Sequence, residues 1–569
     1  MNRMILLLAL VVSACGGTDR NPQPDLTFIH LNDTYRIDAV EDGTRGGFGR
    51  VATIVRQLQS EGRNVRILHG GDFLYPSLES QIWDGEQMIE ALNFLHDLAP
   101  MLAVPGNHEF DPRTADSLAN ALRNSRFEWL ADNVTLDTGD PAVDTLLQRG
   151  YIFEVAGRRI GVLALCLTED EGGEGRAYAK IDEHYLEVGE NAIEALEQQG
   201  VDLVFGLTHL LLEDDRQLAM LKARHPKFLF IVGGHEHEPE FEEGTAGSAI
   251  IMKGASNART IWQIDLYFGN DESAAKVDTK VISVDDSIAL DAAYQPIANK
   301  WRERLLETAP FLPAKIGEAA LPLDGREVAI RNDESNFGNF IVDQMRTAFG
   351  NPPAELAFVN SGTLRLDDYI AGDITFEDIG RTFGFSSYLR YMSTRGGDFR
   401  TLLEAGFRGV GPSKGYFPQV SGFRVCVDRG RPSGNRIVQM LVPDNGSWSE
   451  IDDDRDYLLV APDYIFRGGD GYDFSKARNA SRPGSELQYL VLDAILVAQA
   501  TGQKVGAEVN PDERRIAFLR EGEERCFDQV AVGDAATRVG AGASVRIESP
   551  AMQANLPTMV LERGMIGAN

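Results

Sequence analysis

The chain has 569 residues, too many for one hydrophobic core, and this length predicts two domains with extensions. Its hydrophobic content of 43% and charged content of 25% are those of an ordinary soluble globular protein. Lys and Arg total 55 against 86 for Asp and Glu, and this net charge of -31 argues against a nucleic-acid-binding surface; an anionic substrate would need a local cluster of arginines or metal ions.

Residues 1–25 predict an export signal and tether. Arg3 precedes an apolar run, residues 5–12, that is too short to span a bilayer. The run ends in Val-Ser-Ala-Cys, which resembles a bacterial lipoprotein signal in which Cys15 becomes the acylated N-terminus. The alternative is an ordinary cleaved signal peptide with a chance cysteine. We expect an exported protein, lipid-anchored at the cell envelope (periplasm or outer membrane) through Cys15 only.

Residues 26–290 predict a first α/β domain, because short β-rich runs alternate with amphipathic helical stretches. The β-rich runs are LTFIHLND, NVRILHGGD, MLAVPGNHEFD, VDLVFGLTHL and FLFIVGGHEHE. Residues 292–309 then read as one amphipathic helix, and Pro310 and Pro313 follow it. We expect residues 291–312 to form the connector between two domains.

Residues 313–520 alternate less regularly and are richer in glycine and short strands, which predicts a second domain of the α+β class. Residues 521–569 form a C-terminal extension whose role the pattern leaves open. Cys166 lies in an apolar run and is expected in the core. A bridge between Cys426 and Cys526 is possible in an oxidising compartment, but spacing does not establish it.

Polar side chains end each apolar strand of the first domain. In open α/β sheets, ligands bind beyond the carboxyl ends of the strands, so we expect these side chains at one edge. Oxygen and imidazole ligands without thiolates suit Zn, Mn or Fe, and six candidate ligands exceed the need of one ion. Two ions would form the clamp used for in-line phosphoryl displacement. The six candidate ligands at these strand ends are Asp33, Asp72, Asn107, His209, His235 and His237, and His108 follows Asn107 at the end of the same strand.

The motif series NDT, GGD, GNHEFD, TH and GGHEH resembles that of calcineurin-like metallophosphoesterases, and among these the exported 5'-nucleotidase / UDP-sugar hydrolase family. This resemblance implies a four-layer α/β/β/α sandwich with two metal ions. In it, Asp72 bridges the ions, while His108 with Asp111 is the catalytic dyad. The other implied ligands are Asn107, His209 and His235 for one ion, and Asp33 and His237 for the second.

Tyr35 departs from the family pattern, which usually has histidine at this position as a metal ligand. A neutral phenol is a far poorer ligand than imidazole, since its pKa is about 10. Three outcomes are open: a phenolate ligand, a vacancy filled by water, or a disabled site. A Tyr35 ring that only packs at the rim is compatible with the vacancy filled by water. We favour a working site with an altered metal preference.

The order of segments in residues 315–510 resembles the C-terminal nucleoside-binding domain of the same family. By this resemblance, Phe385 and Tyr464 sandwich the base and Asp470 holds the ribose hydroxyls. Asn360, Arg331 and Arg365 contact the base or the phosphate. The family's domains rotate to join metals and substrate, and we expect the hinge beside the connector helix.

The resemblance implies a dimetal hydrolase (Zn, Mn, Fe or Co) that releases phosphate from extracellular or periplasmic 5'-nucleotides, with the nucleotide as a small-molecule partner. An alternative is another scissile bond, in UDP-sugars, dinucleotides or 2',3'-cyclic nucleotides. A second alternative is a catalytically impaired nucleotide-binding lipoprotein, for which Tyr35 is the only support. Metal identity and oligomeric state are left open.

Overall fold

The computed structural model describes residues 23–168, 176–269, 275–350, 352–409 and 414–527. The predicted lipoprotein signal, including Cys15, lies outside these residues, as does most of the C-terminal extension. In the part of the chain that is described, no helix combines the length and apolar character needed to cross a bilayer.

The N-terminal half alternates strands and helices as the pattern predicts. Its strands are β1 (Leu26–Leu31), β2 (Val65–His69), β3 (Met101–Ala103), β4 (Glu128–Leu130), β5 (Val134–Leu136), β6 (Leu147–Gln148), β7 (Tyr151–Val155), β8 (Arg158–Cys166), β9 (Ala179–Ile181), β10 (Leu203–His209), β11 (Phe228–Gly233), β12 (Glu240–Glu242), β13 (Ile250–Lys253), β14 (Thr260–Tyr267) and β15 (Lys276–Ser283). Its helices are α1 (Phe48–Ser60), α2 (Leu78–Trp83), α3 (Glu86–Leu98), α4 (Asp116–Asn124), α5 (Pro141–Asp144), α6 (Tyr185–Gln198), α7 (Leu212–Ala219) and α8 (Gln295–Thr308).

Two large sheets organise this half. One has the strand order β15-β14-β1-β2-β3-β4-β6, and the other has the order β12-β13-β11-β10-β8-β7. The strands from β1 to β6 in the first sheet, and β13, β11, β10 and β8 in the second, run parallel. Antiparallel strands flank both parallel sets. The carboxyl ends of the central strands are therefore free to carry a site.

The period-two alternation of β1 decides which layer each side chain meets. Ile29 and Leu31 pack with helices α1, α3, α4 and α8, whereas Leu26 and Phe28 pack against the second sheet. The Phe28 ring lies 5.1 Å from the Phe205 ring of β10, centroid to centroid. Helices α6 and α7 cover the other face of the second sheet. The expected four-layer α/β/β/α order is confirmed.

The C-terminal half contains shorter elements. Its strands are β16 (Lys315–Glu318), β17 (Leu323–Asp324), β18 (Leu356–Asn360), β19 (Tyr369–Ile370), β20 (Asp373–Thr375), β21 (Leu389–Arg395), β22 (Pro418–Ser421), β23 (Arg424–Val427), β24 (Ile437–Asp444), β25 (Ser447–Glu450), β26 (Asp456–Pro462) and β27 (Ile516–Phe518). Its helices are α9 (Glu327–Ile330), α10 (Asn336–Met345), α11 (Phe376–Thr382), α12 (Gly396–Leu403), α13 (Asp463–Phe466) and α14 (Leu487–Ala500).

Two four-stranded sheets form the centre of this half, in the orders β21-β26-β18-β22 and β25-β24-β23-β27. Helices α10 and α14 pack on one face of the first sheet, and the opposite face packs with the second sheet and α12. Two separate two-stranded antiparallel sheets, β16 with β20 and β17 with β19, lie beside these sheets. This is the α+β class expected from the irregular alternation.

Cys426 and Cys526 form a disulfide, which ties residue 526 to β23 across 100 residues of sequence. Closing so long a loop restricts the unfolded chain, so replacing both cysteines with serine is expected to lower the free energy of unfolding by about 2–5 kcal/mol. Urea titration of the oxidised protein would measure this loss. Dithiothreitol should destabilise the wild type and a Cys166→Ala control to the same extent. A wild-type urea midpoint that does not change when dithiothreitol is added would contradict the expectation.

The predicted connector helix is α8, three residues shorter at its start than the predicted span 292–309. Its Trp301 ring packs on Trp83 of α2, with centroids 5.2 Å apart. Its Arg302 binds Glu377 of α11, Nη2 to Oε2 at 2.8 Å. The helix therefore packs on the N-terminal half and holds the C-terminal half by an ion pair.

Burial alone would raise the pKa of Glu377, but Arg302 and Arg381 outweigh burial and lower that pKa from 4.5 to about 2. Because the folded-state pKa is depressed, the ion pairs stabilise the protein above about pH 4.5 and the contribution is lost as pH falls towards 2. Glu377→Gln is expected to cost about 1–2 kcal/mol at pH 7, after solvent screening of a partly exposed group. Urea unfolding measured from pH 7 to pH 3 should show that the difference in free energy of unfolding between the wild type and Glu377→Gln shrinks as the pH falls. A control variant at an exposed glutamate, Glu303→Gln, should have the same free energy of unfolding as the wild type over this range.

Candidate metal centre

Five strand ends deliver polar side chains to one region between the two large sheets. Strands β1, β2 and β3 come from the first sheet, and β10 and β11 from the second. The residues delivered are Asp33 after β1, Asp72 after β2, Asn107 and His108 after β3, His209 at the end of β10, and His235 and His237 after β11. Side chains that are up to about 200 residues apart in sequence thus become neighbours.

Four of these residues have a left-handed backbone. The φ angle is 51° at Asp33, 58° at Asp72, 86° at His235 and 65° at His237. Residues other than glycine rarely adopt such angles, and the conformation costs roughly 1–3 kcal/mol each. Strain of this kind concentrates at functional sites because it aims the side chains.

Two glycines permit the close approach of the strand-end loops. A Cβ atom on Gly106 would lie 2.1 Å from Asp72 Oδ1, and one on Gly234 would lie 2.3 Å from the Gly70 carbonyl oxygen. Neither position can accept a side chain without moving a carboxylate or backbone. The Gly-Asn-His and Gly-Gly-His motifs are therefore required for packing around the cluster.

Asp33, Asp72 and His237 form the first part of the site. Each offers a ligand atom, these atoms lie within 4.8 Å of one another, and all three residues are buried. Asp33 Oδ1 lies 3.3 Å from His237 Nε2. Asp33 Oδ2 accepts hydrogen bonds from Asn32 Nδ2 and from the backbone N–H of His235.

Tyr35 lies inside this group rather than at its rim. Its side chain is 7% exposed, and its hydroxyl oxygen is 2.8 Å from His237 Nε2 and 3.3 Å from Asp72 Oδ2. Burial, Asp72 and Asp33 raise the pKa of Tyr35 well above its ordinary value. Beside these carboxylates, and without a bound cation, the phenol is therefore neutral. Only a cation could favour the phenolate form of Tyr35.

His209, Asn107 and His235 form the second part of the site, next to Asp72. His209 Nε2 is 3.1 Å from Asn107 Oδ1 and 3.3 Å from Asp72 Oδ2. His209 Nδ1 donates to the Gly70 carbonyl at 2.6 Å, so Nε2 is the ring nitrogen that faces the two oxygens. The His235 ring lies 5.5 Å from the His209 ring, centroid to centroid.

This donor set fits divalent cations. Carboxylate, carboxamide and imidazole ligands without thiolate suit Zn, Mn or Fe. Burial would lower the pKa of His209, but Asp72 outweighs burial and raises that pKa to about 10. The oxygens around Nε2 therefore favour a positive charge at this place, which is the proton on Nε2 in the absence of a metal and would be a cation in its place when a metal is bound.

His108 and Asp111 form a hydrogen-bonded pair beside the candidate metal ligands. His108 Nδ1 is 2.9 Å from Asp111 Oδ2, and the backbone N–H of His108 donates to Asp72 Oδ1 at 2.9 Å. The other ring nitrogen, Nε2, lies 3.2 Å from Nη2 of Arg365. This arrangement joins the N-terminal site to the C-terminal half.

Arg365 and Phe385 of the C-terminal half lie against His108. The Phe385 ring is 5.4 Å from the His108 ring, and the Arg365 guanidinium lies 5.2 Å above Phe385. Nη1 of Arg365 is buried and has no hydrogen-bond partner among the described residues. A buried guanidinium N–H without an acceptor suits an anionic ligand.

The remaining sequence-predicted residues separate into two places. Asp470 accepts hydrogen bonds from Asn360 Nδ2 at 2.7 Å and from the Tyr464 hydroxyl at 3.2 Å. Arg331 is buried away from them, and its Nη2 donates to Glu327 at 2.6 Å. The described contacts therefore group Asn360, Tyr464 and Asp470, while Arg331 faces an acidic partner.

Comparison with known proteins matches both halves of the chain. The calcineurin-like phosphoesterase family matches residues 26–239, and the 5'-nucleotidase C-terminal domain family matches residues 315–477. The chain belongs to the 5'-nucleotidase family.

Individual relatives agree with this membership. The 5'-nucleotidase of Mus musculus is 26% identical over 495 residues, covering 79% of this chain and 84% of the relative. The snake venom 5'-nucleotidase of Crotalus adamanteus is 24% identical over 522 residues, covering 82% of this chain and 85% of the relative. The crystal structure of a 5'-nucleotidase precursor from Thermus thermophilus superposes with a TM-score of 0.73 at 24% identity, over 87% of this chain and 99% of that one.

Glu109 is a site residue that sequence reasoning missed in this member of the 5'-nucleotidase family. Its buried carboxylate accepts the backbone N–H groups of Asp72, Phe73 and Leu74, and also that of Gly106. It therefore fixes the loop after β2 to the loop after β3. Glu109 lies inside the motif GNHEFD, so the motif could have pointed to it. It was missed because its partners are backbone N–H groups, and no partner side chain at a fixed spacing marks such a carboxylate in a sequence.

Lys253 was also missed. Its ammonium group is fully buried, 2.8 Å from Asp215 Oδ2 and 2.5 Å from Glu236 Oε2. It also donates to the Gly234 carbonyl at 3.0 Å, directly below the loop that carries His235 and His237. This buried ion cluster therefore holds the loop that carries His235 and His237 in place.

Proposed function

We propose that this protein hydrolyses the phosphate ester of 5'-nucleotides, with two divalent ions held between the sheets. Asp33 and His237 would hold one ion, Asn107, His209 and His235 the other, and Asp72 both. The proposal rests on one observation: these donor atoms lie near the Arg365 guanidinium, whose Nη1 is buried without a hydrogen-bond partner among the described residues. When bound, the ions supply Lewis-acid charge to the phosphoryl oxygens and lower the pKa of water for attack.

The side chains of this protein have distinct tasks in that reaction. Asp111 holds His108 through Nδ1, which leaves Nε2 to stabilise charge on the transferring phosphoryl group or to protonate the leaving oxygen. Arg365, which belongs to the C-terminal half, binds the phosphate on the side opposite the proposed ions. Phe385, beside His108, and Tyr464, on Asp470, provide flat surfaces for the nucleobase. Asp470 and Asn360 are proposed to contact the nucleoside, and Arg331 to act indirectly through Glu327.

The location of the reaction follows from the N-terminal residues and from the relatives. The names of related proteins include a venom enzyme and a precursor, which supports export. We propose lipid anchoring through Cys15 at the cell envelope, with a released or periplasmic form as the alternative. Mass spectrometry of the mature N-terminus would decide, because acylation of Cys15 adds a diagnostic mass.

The direct test is phosphate release from AMP by metal-stripped protein after addition of Mn, Zn, Fe or Co. We expect restored turnover with at least one metal and about two ions per chain. UDP-sugars, dinucleotides and 2',3'-cyclic nucleotides should be assayed in parallel, since turnover of one of these but not of AMP would favour a different scissile bond. Fewer than one ion per chain, with nucleotide binding intact, would favour the impaired binding protein.

Tyr35→His is expected to retain or raise activity with Zn, because an imidazole replaces a neutral phenol as a possible nitrogen ligand. Metal titrations of both proteins, followed by AMP turnover with Zn and Mn, would measure the change. Tyr35→Phe is the matched control, since it keeps the ring and removes only the hydroxyl. Loss of activity in Tyr35→His would show that the phenol itself takes part.

A further inference from the structure

His237 is shared between the two halves of the chain. Its Nε2 faces the metal cluster, 2.8 Å from the Tyr35 hydroxyl and 3.3 Å from Asp33 Oδ1. Its other nitrogen, Nδ1, lies 2.8 Å from Oε2 of Glu327. Glu327 begins α9, in the C-terminal half, 90 residues further along the chain.

Glu327 is itself held in place on several sides. Its side chain is 2% exposed, and Oε2 also accepts a hydrogen bond from Ser256 Oγ at 2.8 Å. Oε1 accepts from Arg331 Nη2 at 2.6 Å, and the Arg259 guanidinium approaches Oε2 at 3.6 Å. Two guanidinium groups therefore keep the carboxylate charged, and its position cannot shift without breaking these contacts.

This environment decides the tautomer of His237. An ionised carboxylate only accepts hydrogen bonds, so Nδ1 carries the ring proton and donates it to Glu327. The lone pair of Nε2 then faces Asp33, which is the orientation that a metal ligand needs.

We propose that Glu327 is a positioning residue for His237, and that through it the C-terminal half sets the metal affinity of the N-terminal half. The inference rests on the proposed metal centre and extends it to regulation by domain position. Any rotation that removes α9 from the interface leaves His237 Nδ1 without its carboxylate and weakens that ion's binding. Because linkage is reciprocal, metal binding must favour the arrangement seen here by the same factor.

Neighbouring contacts make this interface suited to such coupling. Asp367, also from the C-terminal half, accepts a hydrogen bond from Asn257 Nδ2 at 3.0 Å and lies 3.5 Å from Arg259. Asp367 Oδ1 further accepts the backbone N–H of Glu327 at 3.1 Å. The interface is thus a continuous polar network, in which the Glu327 side chain contacts the ring of a candidate metal ligand.

Calorimetric titration of Mn²⁺ into metal-stripped, full-length protein tests the proposal. Glu327→Ala is expected to weaken one of two Mn²⁺ sites by about 10–100-fold, the usual effect of removing a carboxylate behind a ligating histidine. Glu327→Gln keeps an acceptor oxygen without the charge and should lose less. In metal-free protein, ¹⁵N NMR of the His237 ring should show a proton on Nδ1, and Glu327→Ala should shift the ring to a mixture of tautomers.

A control variant separates positioning of His237 from general loosening of the interface. Glu79→Gln removes the interdomain ion pair between Glu79 and Arg381, 2.7 Å long, which does not include Glu327 or His237. This variant should retain Mn²⁺ affinity within about 3-fold, the uncertainty usual for such effects. Equal loss in Glu79→Gln, or unchanged affinity in Glu327→Ala while the wild type binds two ions, would overturn the inference and leave the proposed function standing. A wild type that binds no Mn²⁺, Zn²⁺, Fe²⁺ or Co²⁺ would instead overturn the proposed function.

Discussion

Asp72→Asn is expected to lower the rate of phosphate release from AMP by at least about 10³-fold, since several kcal/mol of charge stabilisation depend on the proposed pair of ions. Asp72 is the contact common to both parts of the site, with Oδ2 3.3 Å from His209 Nε2 and 3.3 Å from the Tyr35 hydroxyl. Asparagine keeps the volume and one acceptor oxygen but removes the charge that both ions would share. The metal content per chain and kcat for AMP are the measurements.

A matched control is Asp265→Asn, at a buried carboxylate that binds Thr27 and Arg63 far from the strand ends. This variant should bind metal and hydrolyse AMP as the wild type does. If Asp72→Asn bound two ions and kept at least a tenth of the wild-type rate, the assignment of Asp72 as a shared ligand would be wrong.

Lys253→Met is expected to lower the free energy of unfolding by about 3–5 kcal/mol, because removal of one partner leaves buried charge uncompensated. Two carboxylates, Asp215 and Glu236, meet this ammonium group in a region without solvent exposure. Burial, ahead of all other causes, already raises the pKa of Asp215. Without Lys253 at least one of these acids must take up a proton, and the Gly234 carbonyl loses its donor.

Urea unfolding of metal-free protein would measure this loss, and Mn²⁺ titration would show whether the loop with His235 and His237 is also disturbed. Lys300→Met is the control. Lys300 pairs with Glu90 at 2.6 Å, but its side chain is 54% exposed, so its removal should cost less than about 1 kcal/mol. Similar losses in the two variants would contradict the distinction between buried and exposed ion pairs.

Much of the fold was predictable because its signals are local. The apolar runs that end in Asp, Asn or His correspond to β1, β2, β3, β10 and β11, and the alternation with amphipathic helices predicted covered sheets. The antiparallel strands β14 and β15, which close one side of the first sheet, were not predicted as sheet edges. Pairing of β14 with β1 joins residues more than 200 apart, and no local pattern reports such a partner.

The candidate site likewise contains residues that local sequence patterns predict and residues that they do not. The strand-end candidates could be predicted because each belongs to a short motif with a characteristic residue order. Glu327, Lys253 and Glu109 were missed, because each acts on a loop or ring that the chain brings to it only after folding. The interpretation of Tyr35 as a ring that packs at the rim does not agree with a hydroxyl 2.8 Å from His237 Nε2.

The sequence by itself determined the layered α/β architecture, the family and the identity of the donor atoms, because strand patterning and motif order are written in neighbouring residues. Only the tertiary structure decided which candidate donors lie within reach of one another, where the Tyr35 hydroxyl points, and that a carboxylate from the C-terminal half contacts His237. These depend on distances between residues far apart in the chain. Such distances are set by sheet pairing and domain packing, which local sequence does not encode.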